Sequence, residues 1–275
     1  MVSTPQLVGA ATVGGRRRRL LVGLALFPIL VLGLVGCSHH PVAFFGLPCR
    51  ATAATETYGL DTDQAANAAT IAAVGKRLGL PDHAVTIALA TALQESKLRN
   101  LDYGDHDSLG LFQQRPSQGW GTPAQIMTPR FAATAFFTHL AKVDNWESVP
   151  VTDAAQKVQR SAGGYAYAQW EPEARVVAQA LTGELPAAFT CRITSPTAPA
   201  AASADLSAEL LADLGPPALG VALGPARGWQ VASWLIAHAG RYGVTTVTFN
   251  GWRWSGNSGV WKARPPVSNT VEINR

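Results

Sequence analysis

At 275 residues, 47% hydrophobic and 15% charged, the chain can bury a core in one large domain or two modest ones, which excludes disorder of the whole chain. Its formal excess of +4 equals the contribution of Arg16, Arg17, Arg18 and Arg19, which stand ahead of an apolar run with no acidic residue before Cys37. The remainder is balanced and shows no Lys/Arg stripe, so no nucleic-acid partner is expected.

Residues 20–36 are uncharged and apolar, and with the arginines before them they read as a secretory signal or an N-in membrane anchor. A buried core helix would leave the arginines without a role. The run lies between the length of a signal's apolar region and the roughly 20 residues that cross a bilayer, so length does not separate cleavage from anchoring. Leu34-Val35-Gly36-Cys37 resembles the lipobox of bacterial lipoproteins, which would make Cys37 the lipidated first residue of the mature chain. A plain signal anchor is the competing reading, and both place the rest of the chain outside the cytoplasm, tethered to the cell membrane. There are three cysteines, an odd number in an exported protein. With Cys37 lipidated or at the membrane surface, Cys49 and Cys191 remain to bracket the central segment, and a bridge between them would staple its ends in an oxidising compartment. Two free thiols are the alternative.

Residues 38–60 read as a juxtamembrane linker containing Pro and Gly. A mainly α region then runs from 61 to 191. Asp61 or Thr62 caps its first helix, and Gly79-Leu80-Pro81 ends it. The second helix starts at Pro81-Asp82, with Val85, Leu89, Ala92 and Leu93 marking a core face. Further helices are expected at 129–142, 152–160 and 171–181, with a long Gly/Asp/Ser/Gln-rich loop over 100–122. Residues 192–205, rich in Ser, Thr, Pro and Ala, read as a linker. Residues 206–275 form a small α+β module: a helix over 228–242, a strand over 244–249, and a hairpin turn at Asn250-Gly251.

The second helix ends on Gln94-Glu95-Ser96, and a dozen residues on comes Ser108-Leu109-Gly110-Leu111-Phe112-Gln113-Gln114. This order and spacing resemble the lytic transglycosylases of the goose-type lysozyme and soluble lytic transglycosylase group. Residues 92–122 look more closely like a lysozyme-like domain of secreted actinobacterial cell-wall proteins, a resemblance that covers about 120 residues. It implies a peptidoglycan-cleaving glycosidase acting on the β-1,4 bond between N-acetylmuramic acid and N-acetylglucosamine, with Glu95 as general acid and then base. In the resembled transglycosylases one glutamate suffices, because the 6-hydroxyl of N-acetylmuramic acid closes a 1,6-anhydro ring without an activated water. From the residues themselves, Glu95 shares a helical stripe with Ala88, Thr91 and Ala92, small residues that let a neighbouring helix approach and exclude water. The bland alternative pairs Glu95 with Lys97 or Arg99 at an exposed helix end.

Asp102, Asp105 and Asp107 in the loop are candidate partners for ordinary hydrolysis, though each is more simply a solvated or turn-forming residue. By the resemblance, Ser108 and Gln113 contact the saccharide; Gln114, Trp120 and Tyr165 are further substrate-binding candidates. The transglycosylases carry an Ala-Tyr-Asn motif whose tyrosine faces the glutamate. Here Tyr165 and Tyr167 both fit that role, and neither is followed by Asn. The six histidines show no metal-ligand spacing, so no metal or cofactor is expected. The C-terminal module, distantly like metal-dependent D-Ala-D-Ala peptidases, has His238 without visible co-ligands and reads as non-catalytic. Two functions remain: a lytic transglycosylase or lysozyme-type hydrolase with peptidoglycan strands as partner, and an inactive lysozyme-like wall-binding or scaffold protein anchored to the membrane.

Overall fold

Asp61 caps the first helix in the expected way. Its carboxylate accepts from the Gln64 backbone N–H at 2.8 Å, and the Gln64 side chain accepts from the Asp61 N–H at 2.9 Å, a reciprocal cap for α1 (Thr62–Arg77). The computed structural model describes residues 46–160, 166–194, 202–216 and 218–275. Residues 1–37, expected as a targeting segment with Cys37 at its end, and the candidate Tyr165 lie outside the described residues. Among the described residues no helix is long and apolar enough to cross a membrane.

After Gly79, at φ +75°, α2 (Asp82–Ser96) begins. The spacing of Val85, Leu89, Ala92 and Leu93 predicts one core face; instead every residue from Ala84 to Leu93 is buried. The reason is position, since α1, α4 (Pro129–Leu140), α5 (Val151–Gln159) and α6 (Glu171–Thr182) all pack around α2, and a helix enclosed on every side must be apolar on every side. Small residues permit this crowding: a Cβ on Gly75 of α1 would stand 2.9 Å from the Phe137 ring of α4. The short α3 (Pro123–Ile126) follows the long loop.

Residues 49–60, expected within the juxtamembrane linker, are a hairpin of β1 (Cys49–Ala53) and β2 (Glu56–Leu60), joined on β1's other edge by β3 (Phe189–Cys191). Buried Cys49, Ala51 and Ala53 alternate with exposed Arg50 and Thr52, a strand period that alanines hide from a hydrophobicity reading. Cys49 and Cys191 are register partners and form the expected disulfide.

The C-terminal residues form α7 (Ala202–Leu214), which begins inside the expected linker, then α8 (Pro225–Ala237), α9 (Ala239–Tyr242) and an antiparallel sheet of β4 (Thr246–Phe249), β5 (Trp252–Ser255), β6 (Val260–Ala263) and β7 (Glu272–Asn274), in the order β6-β5-β4-β7. The single helix expected over 228–242 is broken at His238, and Asn250 and Gly251 turn the hairpin with φ +48° and +76°.

These elements share a core with the helices, and Phe44–Arg275 packs as one compact unit. Asp213 of α7, 2% exposed, accepts from Thr70 of α1 (3.0 Å), the Trp234 indole of α8 (2.9 Å) and the Arg130 guanidinium of α4, which also pairs with Glu209. Gly183, at φ +81°, ends α6 so close to α8 that a Cβ there would stand 1.9 Å from the Ala226 carbonyl oxygen, leaving no room for another residue. Trp254 and Trp261 donate their indole N–H to the Cys191 and Phe189 carbonyls, seating the second sheet on the first. Trp229, Trp234 and Trp254 are buried; Trp252 is exposed.

Candidate active site

Glu95 stands where α2 leaves the core, half-buried, on the wall of a cleft of about 740 Å³. Its backbone is held by a turn that sequence reading did not anticipate. Lys97 and Leu98, neither a glycine, adopt φ of +56° and +60°, at a cost on the order of 1 kcal/mol each. Two amides of α1 offset that cost: Gln64 Nε2 donates to the Lys97 carbonyl at 2.9 Å and Asn67 Nδ2 to the Leu98 carbonyl at 2.8 Å. Ser96 Oγ donates across to the Leu111 carbonyl at 2.8 Å, tying the helix end to the downstream motif. That bond gives the Glu-Ser pair a physical meaning, since serine is the residue that sets the glutamate against the loop.

On the opposite side Tyr167, 1% exposed, donates its hydroxyl to Glu95 Oε1 at 2.7 Å. Of the two tyrosines expected to face the glutamate, Tyr167 is the described one that does so. Gln94 beside it accepts from the Trp170 indole (2.7 Å) and from Gln169 Nε2 (3.2 Å), so three residues on one short segment grip the end of α2. The bland pairing of Glu95 is not present: Arg99 pairs with Asp61, while Lys97 lies 4.0 Å over the Trp170 ring and donates to the Leu93 carbonyl. Burial pushes the Lys97 ammonium below its ordinary value, opposed by the charges of Glu173 and Glu95.

The downstream motif folds as a tight loop closed by paired backbone hydrogen bonds between Leu109 and Gln114, both 2.9 Å. Gly110 is required there, because at φ +74° a Cβ would stand 2.9 Å from the Ile126 carbonyl. Leu111 and Phe112 are the loop's core anchors, with Phe112 stacked on Phe136 at 4.6 Å. Gln159 Nε2 donates to the Phe112 carbonyl from α5 at 2.7 Å.

Ser108, Gln113 and Trp120 line the cleft with Glu95, as the sequence predicts. Gln114 does not. It is 1% exposed and donates to the Ala132 carbonyl at 3.0 Å, so its amide joins the loop to α4 and never reaches a ligand. The Gln113 amide reaches the Tyr103 and Gly110 carbonyls at a long 3.3 Å each. Arg115, Gln118, His139, Gln159 and Arg160 also line the cleft and carried no signal in the sequence. The His139 and Trp120 rings pack against each other with centroids 4.0 Å apart, and both residues line the cleft; His139 Nδ1 stands 2.9 Å from the Ala135 carbonyl.

Among the loop aspartates, Asp107 is committed elsewhere. It accepts from Arg115 Nε (2.8 Å) and from the Ser117 N–H and hydroxyl (2.7 and 3.0 Å). The Arg115 guanidinium and these donors hold its carboxyl well below the usual carboxylate range, so it has no proton to give near neutrality. Asp102 is exposed, and Asp105, its side chain 93% exposed, lines the cleft at the solvent. Among the described residues no group of three metal-ligating side chains comes together. The chain matches no protein-family model and no curated protein.

Proposed function

We propose that residues 61–191 are a lysozyme-like catalytic domain that cleaves the β-1,4 bond between N-acetylmuramic acid and N-acetylglucosamine in peptidoglycan, outside the cytoplasm, on a chain tethered to the membrane by its N-terminal segment. The observation that carries this reading is Glu95 on the cleft wall, with one carboxylate oxygen bonded to Tyr167 and the other without a protein partner among the described residues. The supporting arrangement is that of a single acid: the other acidic residue lining the cleft, Asp105, stands in solvent, and Asp107 is held by Arg115.

In this mechanism the Glu95 proton passes to the glycosidic oxygen as the bond to C1 of N-acetylmuramic acid breaks. The resulting carboxylate then takes the proton of that sugar's 6-hydroxyl as O6 bonds to C1. The product carries a 1,6-anhydro end, no water is consumed, and Glu95 returns to its starting form. Tyr167 fixes the rotamer of the acid, while Trp120 and His139 offer a face on which a sugar ring rests. The Cys49–Cys191 bridge supports an oxidising location.

The test is release of soluble muropeptides from purified sacculi by wild type and Glu95→Gln. Wild type is expected to exceed the variant by roughly 10²–10⁴-fold, the usual contribution of a positioned acid or base. Equal release overturns the enzymatic reading and leaves a wall-binding protein. Anhydro ends distinguish the transglycosylase from a hydrolase, whose products have reducing ends.

A further inference from the structure

The C-terminal sheet has two unlike faces. Val247 and Trp254 turn inward and are buried, so their neighbours in sequence turn outward. Register places Lys262, Arg253, Thr248 and Glu272 side by side on β6, β5, β4 and β7. Arg264, just past β6, is drawn to this row by its backbone N–H, which donates to the Gly251 carbonyl at 2.7 Å. Arg253, Arg264, Thr248 and Glu272, with Ile273 and Asn274, line a cavity of about 450 Å³, which shares no lining residue with the Glu95 cleft.

The charges here are left unused by the fold. Arg99, Arg115, Arg130 and Arg175 each pair with a carboxylate, whereas Arg253, Arg264 and Lys262 form no side-chain hydrogen bond or ion pair among the described residues. Glu272 is the single acidic group at the cavity, separated from Arg253 by the strand that carries Thr248. Two guanidiniums facing a cavity repel each other, and an anion between them relieves that repulsion.

We propose that this cavity is a second binding site, and that it takes a phosphate group. Two guanidinium forks on separate segments, with the Thr248 hydroxyl between β5 and β7, address several edges of one ligand. A planar carboxylate presents one edge to a fork; a tetrahedral phosphate presents an edge to each. The group is either free phosphate or a phosphodiester within an anionic chain. The site stands independently of turnover at Glu95.

Calorimetric titration of the full-length protein in nonionic detergent, at low salt, tests this with inorganic phosphate, a glycerol-phosphate oligomer and acetate. Phosphate is expected to bind, acetate to bind at least tenfold more weakly, and Arg253→Gln and Arg264→Gln each to lower phosphate affinity about tenfold or more. Glu272→Gln, which removes the opposing charge, is expected to raise it about threefold. An oligomer that binds tenfold more tightly than free phosphate assigns the site to a polymer; equal affinity assigns it to the free ion. The proposal is overturned if neither phosphate ligand binds, if acetate binds as well as phosphate, or if the double arginine variant binds like wild type. Should that variant fail to fold by circular dichroism, unchanged affinity in Glu272→Gln overturns it instead.

Discussion

Two carboxylates, Asp213 at the junction of α1, α4, α7 and α8 and Glu95 at the end of α2, are each fixed by donors from distant parts of the chain, and they end in opposite states. Asp213 is buried and receives Thr70, Trp234 and Arg130, so both its oxygens are occupied. Glu95 is half-buried on the wall of a cleft, receives Tyr167 on one oxygen, and has no partner for the other among the described residues. The neighbours of Glu95 are nonetheless firmly held: Gln94, Ser96, Lys97 and Leu98 are each pinned through a side chain or a carbonyl. Rigidity of surroundings therefore does not distinguish a saturated carboxylate from one with an oxygen left open. The difference matters because a fully bonded group has nothing left to offer a ligand.

Substitutions at the two sites are expected to fail in opposite ways, which gives the largest test of that contrast. Asp213→Ala, which leaves the Arg130 charge short of its buried partner, is expected to lower unfolding free energy by about 3–5 kcal/mol in urea titration. Glu95→Gln is expected to stay within about 0.5 kcal/mol of wild type while losing muropeptide release. A strongly destabilised Glu95→Gln variant would erase the contrast. Smaller is the effect of Tyr167→Phe, which removes the one described donor to Glu95: release is expected to fall about tenfold, with about 1 kcal/mol of stability lost.

Acidity separates the regions further. Burial pushes the His238 imidazole, stacked on Trp234, below its ordinary value, opposed by its hydrogen bond to the Trp234 carbonyl and the charge of Asp213; Arg241 pushes it down and Glu209 up. The folded state thus favours neutral His238. Its stabilisation is complete above the unfolded value of about 6.5 and is lost as pH falls below it. Thermal midpoints of wild type are expected to drop between about pH 7 and 5, and those of His238→Gln to drop less. Glu173 has the reverse sign. Burial pushes its carboxyl up, opposed by Lys97, so its contribution is complete below the ordinary carboxylate value and lost as pH rises through the raised one. Glu173→Gln is expected to gain on wild type as pH increases, the smallest of these effects because the group is partly solvated.

The helical order, the Asp61 cap, the Asn250-Gly251 turn and the disulfide pair were legible in the sequence because each depends on residues adjacent in the chain or on simple counting. The strands at 49–60 were hidden by alanine and threonine, whose alternation carries little hydrophobic contrast. At the cleft, Ser108, Gln113 and Trp120 were legible through the motif, whereas His139, Gln159 and Arg160 come from α4 and α5 and enter only through tertiary packing. Gln114 misled for the same reason: Gln113 turns the chain at φ +47°, and Gln114, paired with Leu109 at the close of the loop, sends its amide to the Ala132 carbonyl of α4. The junction of the two halves was hidden too: Asp213 is one of three acidic residues in α7, with Asp205 and Glu209, and its partners Arg130 and Thr70 lie 83 and 143 positions away.

The bridge between Cys49 and Cys191 also sets how the chain carries mechanical load. A pull applied through the residues before Cys49, and resisted by the elements after Cys191, crosses from one to the other through the sulfur–sulfur bond. Helices α1 to α6, with Glu95 and its cleft, lie between those cysteines in sequence, so the covalent path of the load bypasses their backbone. Tension that would draw an unbridged chain out helix by helix stops at the bridge, and the segment that holds Glu95 cannot be unravelled from either end while the bridge is intact.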